Sequence, residues 1–329
     1  MKFDLTLTKK NLFISVKFFL AAISFAFLLS GCKTSEIQEN ESLHPLALLS
    51  EDSSIYLNVP SSSQVPLVAE ILCDRINRLT YEDAELVAKR INNLYIGLGT
   101  VKDRSRLEVS ADVDIPPLAV KKVLSKKNGW KNKNILLEKT NLESPYENSF
   151  TVFYRDDSDL KISFQEQKTF LLAEEINPSL QKYADGAELC SNFQNDYLSQ
   201  KSTDILFYIT RPGQYLRNLI GIESRGIDFV YGSLSYMPNR KKLNEYSGLY
   251  ELKLKLHLAD KRTMAVFKNL LSVSIGMMGA KIEQTDEQTL ELSQIEVSKN
   301  QIKKLLSREA ISGKHFRVDG EKIIQENKK

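Results

Sequence analysis

The sequence has few of the residues that build common catalytic and metal sites. It contains three cysteines, three histidines and one tryptophan among 329 residues. The histidines, His44, His257 and His315, are far apart, and no two have the spacing of metal ligands. No glycine-rich phosphate loop, nucleophile elbow or kinase motif is present either. We therefore expect no enzyme activity, no bound metal and no cofactor.

The sequence also lacks a marked excess of charge of either sign. It has 45 basic and 42 acidic residues, which gives a formal net charge of +3. A general nucleic-acid binder needs a strong basic excess on its surface, so binding to nucleic acid is not expected. The proportions of 26% charged and 42% hydrophobic residues are ordinary for a globular protein.

The beginning of the chain has the features of an export signal. Lys2, Lys9, Lys10 and Lys17 precede an uncharged, apolar run at residues 18–29. A basic end followed by a short apolar run is typical of a secretory signal peptide. A helix that spans a membrane needs roughly 20 apolar residues, so a permanent transmembrane helix is the weaker interpretation of this shorter run.

The residues after the apolar run indicate the type of signal. Leu29-Ser30-Gly31-Cys32 resembles the lipobox of bacterial lipoproteins. The resemblance implies that residues 1–31 are a signal peptide, that cleavage occurs between Gly31 and Cys32, and that a lipid is attached to the Cys32 thiol. Several acyl chains on one cysteine would anchor the protein stably. An ordinary signal peptide with an incidental cysteine is the alternative.

The residue after Cys32 bears on the choice of membrane. In lipoproteins of this kind an aspartate there favours retention in the inner membrane, and this chain has Lys33. The resemblance therefore implies an envelope location at the outer membrane, facing the periplasm or the cell surface. Residues 32–45 are mostly polar and aperiodic, and they are predicted to be a flexible tether.

Two further cysteines, Cys73 and Cys190, remain in the exported part. In an oxidising compartment they could form a disulfide. Two free thiols, with Cys73 packed as a small apolar residue, is the alternative that we favour. Sequence alone does not decide connectivity.

The exported part shows signs of an internal repeat. A strand pattern that ends at a proline occurs twice, strictly alternating strands occur twice, and similar helical segments follow each of them; the pairs are 53–60 with 203–212, 106–113 with 250–258, and 118–125 with 264–272. We predict an α+β fold of two related halves, 46–198 and 199–329. Each half is expected to be a largely antiparallel sheet with helices packed on one face. Chance similarity of two α+β segments is the alternative.

Residues 264–278 form the most apolar helical stretch after the signal. Their polar members are Lys268, Asn269, Ser272 and Ser274. The apolar stripe is broader than a single sheet-facing side needs. It predicts a helix that covers an apolar cavity or contacts a membrane, and the candidate contact residues are Met264, Phe267, Leu271, Ile275 and Met278. A helix buried between layers is the alternative.

A basic cluster surrounds the single tryptophan, Trp130. Its lysines could contact anionic lipid head groups, with Trp130 at the interface; they are Lys121, Lys122, Lys126, Lys127, Lys131 and Lys133. A solvated helix end is the alternative, because lysines also favour helix C-termini.

Three classes of function remain open. The first is a non-enzymatic, membrane-anchored envelope lipoprotein that binds a protein partner or the membrane surface. The second is a carrier or sensor of a lipid or another small apolar ligand, which would use the helix at 264–278. The third, an enzyme without a familiar motif, would need a cleft with converging acids or a histidine. We favour them in that order.

Overall fold

The computed structural model describes residues 43–75, 79–101, 104–138, 147–166, 168–210, 212, 226–238, 249–274, 280–305, 316–319 and 322–325. The predicted signal peptide, Cys32 and all but the last three residues of the tether lie outside these ranges.

The described chain alternates between strands and short helices. Its strands are β1 Ile55–Pro60, β2 Ile91–Val101, β3 Arg104–Val113, β4 Lys131–Glu138, β5 Glu147–Arg155, β6 Ser158–Gln165, β7 Thr169–Ala173, β8 Ile205–Ile209, β9 Ile227–Met237, β10 Leu249–Leu258, β11 Lys281–Gln284, β12 Thr289–Ser298, β13 Phe316–Asp319 and β14 Lys322–Gln325. Its helices are α1 Val65–Arg75, α2 Tyr81–Ala88, α3 Pro117–Val123, α4 Asn177–Asp185, α5 Phe193–Leu198, α6 Lys261–Ser274 and α7 Lys299–Leu305. Two short 3-10 turns cover Pro45–Leu48 and Lys126–Asn128.

Helix starts follow the capping residues in the sequence. The Thr80 hydroxyl accepts a 3.2 Å hydrogen bond from the backbone N–H of Asp83 at the start of α2. The Asn192 side chain accepts one of 2.8 Å from the N–H of Asn195 at the start of α5. Such caps satisfy N–H groups that have no partner within the helix.

Twelve strands form one sheet in the order β11-β12-β10-β9-β8-β1-β2-β3-β7-β6-β5-β4. The pairings within it are antiparallel, and β13 and β14 form a separate antiparallel pair. The predicted α+β fold with a large antiparallel sheet is therefore confirmed. Instead of one sheet for each half, however, the two halves share this sheet, because β1 pairs with β8 from Ile55–Ile209 to Asn58–Leu206.

The sheet order is similar on either side of the β1–β8 pair. Outward from the centre it runs β1, β2, β3, β7 on one side and β8, β9, β10, β12 on the other. The long strands of the two halves thus occupy equivalent places, and α3 and α6 each follow the third of them. The first half adds β4, β5 and β6 beyond β7, and the second adds β11 beyond β12.

Helices cover both faces of the sheet, so the prediction that they pack on one face was wrong. The front face packs against α1, α2, α3, α6 and α7 in the main core. The back face packs against α4, α5 and the turn at Pro45–Leu48. The strand β7 shows why: Phe170 and Leu172 belong to the front core, and Leu171 and Ala173 to the back core. A strand that is apolar on both sides needs cover on both sides.

The helices that follow β7 and β12 lie on opposite faces. In α4, Leu180 and Ala184 pack on the back face. In α7, Ile302 packs in the front core. The two halves are thus similar in the order of their strands and differ in the placement of these helices.

Candidate functional site

The predicted contact residues of α6 face the protein core. Met264, Phe267 and Leu271 have exposed fractions of 4%, 5% and 0%. They belong to the front core together with side chains of β10 and β12 such as Leu256 and Leu290. In this conformation they contact the sheet and do not reach the surface. Ile275 and Met278 lie outside the described residues.

The opposite side of α6 carries a second apolar stripe. Val266, Leu270 and Val273 are 57%, 52% and 71% exposed. Spacings of four and three residues place them on one side of the helix. We call these three residues the α6 stripe. The apolar pattern is broader than one sheet-facing side needs, as the sequence indicated, but the three predicted contact residues that the structure describes, Met264, Phe267 and Leu271, are on the side that faces the core.

The start of α6 is fixed by Asp260. Its Oδ1 accepts 2.8 Å hydrogen bonds from the backbone N–H groups of Arg262 and Thr263. The hydrogen bonds from Thr263 are the main reason that the pKa of Asp260 is lowered. The Asp260 carbonyl also accepts the N–H of Met264 at 3.1 Å. This cap defines where the helix begins, and hence which residues turn towards solvent.

A cavity of about 300 Å³ lies in the front layer between the sheet and helices α1, α2 and α3. Its walls are almost entirely aliphatic, with Val68 from α1, Val120 from α3 and Leu172 from β7 among them. No residue of α6 lines it. This cavity is lined mainly by the first half, and the cavity predicted beneath the helix at 264–278 stays a prediction. Its lining comes from eight separate helices and strands, which no local sequence pattern connects.

Charged side chains lie at one edge of this cavity. Lys303 of α7 lines it together with Asp74 of α1. The Lys303 ammonium is 2.8 Å from an Asp74 carboxylate oxygen and 3.4 Å from Glu70, which also pairs with Lys299. Burial opposes the charge on Lys303, but the hydrogen bond to Asp74 and the nearby acids outweigh it and raise its pKa. These pairs link α1 of the first half to α7 of the second.

Trp130 is buried, with an exposed fraction of 5%. The Arg155 guanidinium carbon lies 5.8 Å from the centre of its ring, and Trp130 packs in the front core. A role as an interfacial tryptophan is thus not available in this conformation. The six lysines of the basic cluster are exposed, and so is Leu118 of α3, at 72%.

The remaining candidate residues do not converge. Cys73 is half-buried and Cys190 is exposed; both are free thiols, and burial raises the pKa of Cys73. His44 Nδ1 accepts the N–H of Leu46 at 3.3 Å, and His257 packs on Phe229 with ring centres 4.5 Å apart. His315 lies outside the described residues.

Metal sites and membrane-spanning helices are both absent from the described residues. Within them, no group of three or more His, Cys, Asp or Glu side chains is arranged to hold a metal ion. In the same part of the chain, no helix has the length and hydropathy needed to cross a bilayer.

Comparison with known proteins gives one family. Residues 40–303 match the model of the family described as outer membrane-associated lipoprotein TP0453. The fold resembles three crystal structures of TP0453, in crystal forms I, III and IV, with TM-scores of 0.59, 0.58 and 0.56. Each is 14% identical in sequence; the matches cover 80–81% of this chain and 97–98% of those chains. No curated protein matches this chain.

Proposed function

The chain belongs to the TP0453 family of outer membrane-associated lipoproteins, and on that premise we propose that it is a non-enzymatic envelope protein that binds the membrane surface. Lipid on Cys32 would hold it at the outer membrane, facing the periplasm or the cell surface. The front face would then contact the bilayer through the α6 stripe. In the alternative form of this proposal, the α6 stripe is the docking site for a protein partner.

The α6 stripe is the observation that carries this proposal. Val266, Leu270 and Val273 leave more than half of each side chain exposed, although the other side of α6 already fills the core. Exposed basic residues, Arg262 and Lys268, flank the stripe. Apolar residues beside basic ones are typical of helices that lie in a membrane interface. Leu118 of α3 adds an exposed leucine to the same face of the sheet.

Flotation with liposomes tests the membrane contact. A chain produced without residues 1–31 and with Cys32→Ser has neither the apolar signal nor the lipid, so any remaining binding comes from the fold. We expect it to float with vesicles that contain anionic lipid. Adding Val266→Glu, Leu270→Glu and Val273→Glu should lower the bound fraction more than tenfold, because burial of one such side chain contributes about 1.5 kcal/mol or more, which is tenfold in affinity.

Asn269→Glu with Ser272→Glu is the matched control on the same helix, since both residues are exposed. It adds acidic charge next to the stripe and should retain most of the binding. Equal losses of bound fraction in the stripe variants and in the control would indicate a charge effect. If the protein with Cys32→Ser does not float at all, the lipid alone makes the membrane contact. If the stripe variants float normally but no longer bind an envelope protein that copurifies with the unaltered chain, the protein-partner form is favoured.

The cavity supports a second candidate, a carrier or sensor of a small apolar ligand. Ligand sites usually have volumes of about 300–1,000 Å³ and apolar walls with a few polar groups. The cavity has about 300 Å³, aliphatic walls, and Lys303 with Asp74 at its edge. An apolar cavity without hydrogen-bonding groups holds water poorly and is suited to hydrocarbon.

Native mass spectrometry and dye displacement test the carrier. We expect copurified lipid or fatty acid, and saturable binding of an apolar fluorescent dye. Ala119→Trp would place an indole in the cavity, because Ala119 lines it, and should abolish dye binding. Leu118→Trp is the control, since Leu118 is 72% exposed and does not line the cavity. Dye binding that survives Ala119→Trp would contradict the carrier role.

Duplication of an ancestral half remains part of the proposal. It is supported by the equivalent places of β1, β2, β3 and β7 and of β8, β9, β10 and β12 in the sheet. The opposite faces taken by α4 and α7 weigh against a strict repeat. Superposition of the two halves over the four matched strands tests it; failure of those strands to superpose would argue for chance similarity.

A further inference from the structure

The back face of the second half carries a cluster of rings that no helix fully covers. Its members come from α5 and from three adjacent strands, and we call them the aromatic platform: Phe193, Tyr197, Tyr208, Phe229, Tyr231 and His257. The front-face cavity and the α6 stripe lie on the other side of the sheet.

Phe193 is the most exposed ring of the platform. Half of its surface is exposed, although its ring centre lies 5.0 Å from Tyr231 and 5.5 Å from Phe229. Phe229 in turn lies nearly parallel to His257, with the centres 4.5 Å apart and an interplanar angle of 13°. Phe229, Tyr231 and His257 are themselves only half-buried. The rings thus form a continuous surface along the sheet and leave part of it open.

The platform is held in place by hydrogen bonds at its edges. The Tyr197 hydroxyl donates to the carbonyl of Gly232 at 2.8 Å, which ties α5 to β9. His257 Nδ1 lies 3.4 Å from the Thr289 hydroxyl of β12. Fixed rings lose little conformational freedom on binding, which favours recognition of a ligand by stacking.

Charged groups of both signs lie beside the rings, since Lys253 and Lys255 share one side of β10 with His257. Lys255 has its ammonium 5.8 Å from the centre of the Tyr231 ring and 3.5 Å from the Glu291 carboxylate. Burial raises the pKa of Tyr231, and the charges of Asp286 and Glu291 raise it further. The charges of Lys255, Glu291 and Asp286 therefore all influence Tyr231 at this edge of the platform. Ionised carboxylates only accept hydrogen bonds, and bonds to them are stronger than neutral ones.

These features restrict the ligand. Nucleic acids stack on aromatic rings, but their phosphates need basic grooves, and here Glu291 pairs with Lys255 and offsets its positive charge. The ligand should instead be uncharged, have a flat apolar side for the rings, and have many hydroxyl donors for the carboxylates. Pyranose sugars have this combination, because their axial C–H groups carry partial positive charge that aromatic faces attract.

We propose that the aromatic platform binds an uncharged carbohydrate chain, with one sugar stacked on Phe193 and its hydroxyls directed to Glu291. The rings continue across the three adjacent strands β8, β9 and β10, which is suited to a chain of several sugars. This site is separate from the membrane contact and the cavity on the front face, so either proposal can fail without the other.

Calorimetric titration of the full-length chain with oligosaccharides tests the site. The protein is kept in a detergent without a sugar head group. The probes are neutral tetrasaccharides of glucose, N-acetylglucosamine, mannose and galactose, with oligogalacturonate as the anionic comparison. We expect millimolar or tighter binding to at least one neutral probe, and binding to oligogalacturonate at least tenfold weaker. Absence of binding to every neutral probe overturns the proposal.

Two variants and one control locate the binding. Phe193→Ala should weaken binding at least tenfold, and Glu291→Gln should weaken it severalfold. Tyr236→Ala is the control, since Tyr236 is 46% exposed and packs against Tyr250 of the front core, outside the platform. This variant should bind the oligosaccharide with the same affinity as the unaltered protein. Equal loss in the control, or unchanged affinity in Phe193→Ala, overturns the proposal. The proposal is also overturned if the unaltered protein is a dimer that Phe193→Ala converts to a monomer, because a second copy of the chain would then cover the platform.

Discussion

At the scale of single residues, a small polar network fixes the segment that follows the predicted tether. Glu108 is buried on the back face, with 2% of its surface exposed. Its carboxylate accepts the backbone N–H of Ser50 at 2.8 Å and the Ser50 hydroxyl at 2.6 Å. The Tyr56 hydroxyl donates to the Ser50 carbonyl at 2.7 Å. Charge-assisted hydrogen bonds of this kind offset the cost of burying a carboxylate.

His44, at the start of this segment, predicts a pH dependence of stability. Burial lowers its pKa below the ordinary value of 6.5, because the charged form is disfavoured. The unfolded chain therefore binds a proton near pH 6.5 that the folded chain binds only at lower pH. Stability is highest above pH 6.5 and falls as the pH drops from there through the folded pKa.

We expect His44→Asn to reduce the loss of stability between pH 7.5 and pH 5.5. Asparagine keeps an acceptor for the N–H of Leu46 but does not titrate. Urea unfolding at both pH values measures the change for the two proteins. An equal loss in both would show that other groups cause the pH dependence.

At the scale of elements, the pairing of β9 with β10 depends on a glycine. A Cβ at Gly232 would lie 1.9 Å from the carbonyl oxygen of Lys253 and 2.8 Å from the Phe207 ring. Gly232 faces Leu254 across the β9–β10 pair and Phe207 across the β8–β9 pair. Side chains cannot fit there without moving the neighbouring strands. Residues 93–98 and 228–234 each carry a glycine in the sequence, but only the pairing reveals this close approach.

Gly232→Ala should destabilise the protein by about 2–3 kcal/mol or more, since overpacking in a well-packed site typically costs about 1–3 kcal/mol. Ser233→Ala, at the next residue of the same strand, should change stability by less than about 1 kcal/mol. Chemical denaturation measures both. A Gly232→Ala protein as stable as the unaltered one would show that β9 and β10 can separate at little cost.

At the scale of the whole molecule, the two halves are joined by backbone pairing and by a common core. The β1–β8 pair places both halves in one sheet, the front core includes side chains of both, and Glu70 of α1 pairs with Lys299 and Lys303 of α7. Separation would expose the edges of β1 and β8 and the apolar residues around them. Exposed edges and apolar surface favour aggregation.

The half at 199–329, produced alone, should therefore not fold stably. We expect an aggregated or unfolded product by size-exclusion chromatography and circular dichroism, and a single unfolding transition for the intact exported chain by calorimetry. Two separate transitions, or a monomeric half with its own cooperative transition, would identify the halves as independent domains.

The sequence by itself determined the local conformations: the alternation of residues 106–113 and 250–258 predicted β3 and β10, and the apolar spacing at 264–278 predicted α6. Periodicity is enough for this because neighbouring residues set which side chains share a face. Only the tertiary structure decided that Met264, Phe267 and Leu271 face the core while Val266, Leu270 and Val273 face solvent. It also decided where the cavity lies, that Trp130 is buried, and that helices cover both faces of one shared sheet. These depend on which distant segments pack together, and an apolar face in the sequence does not specify its partner.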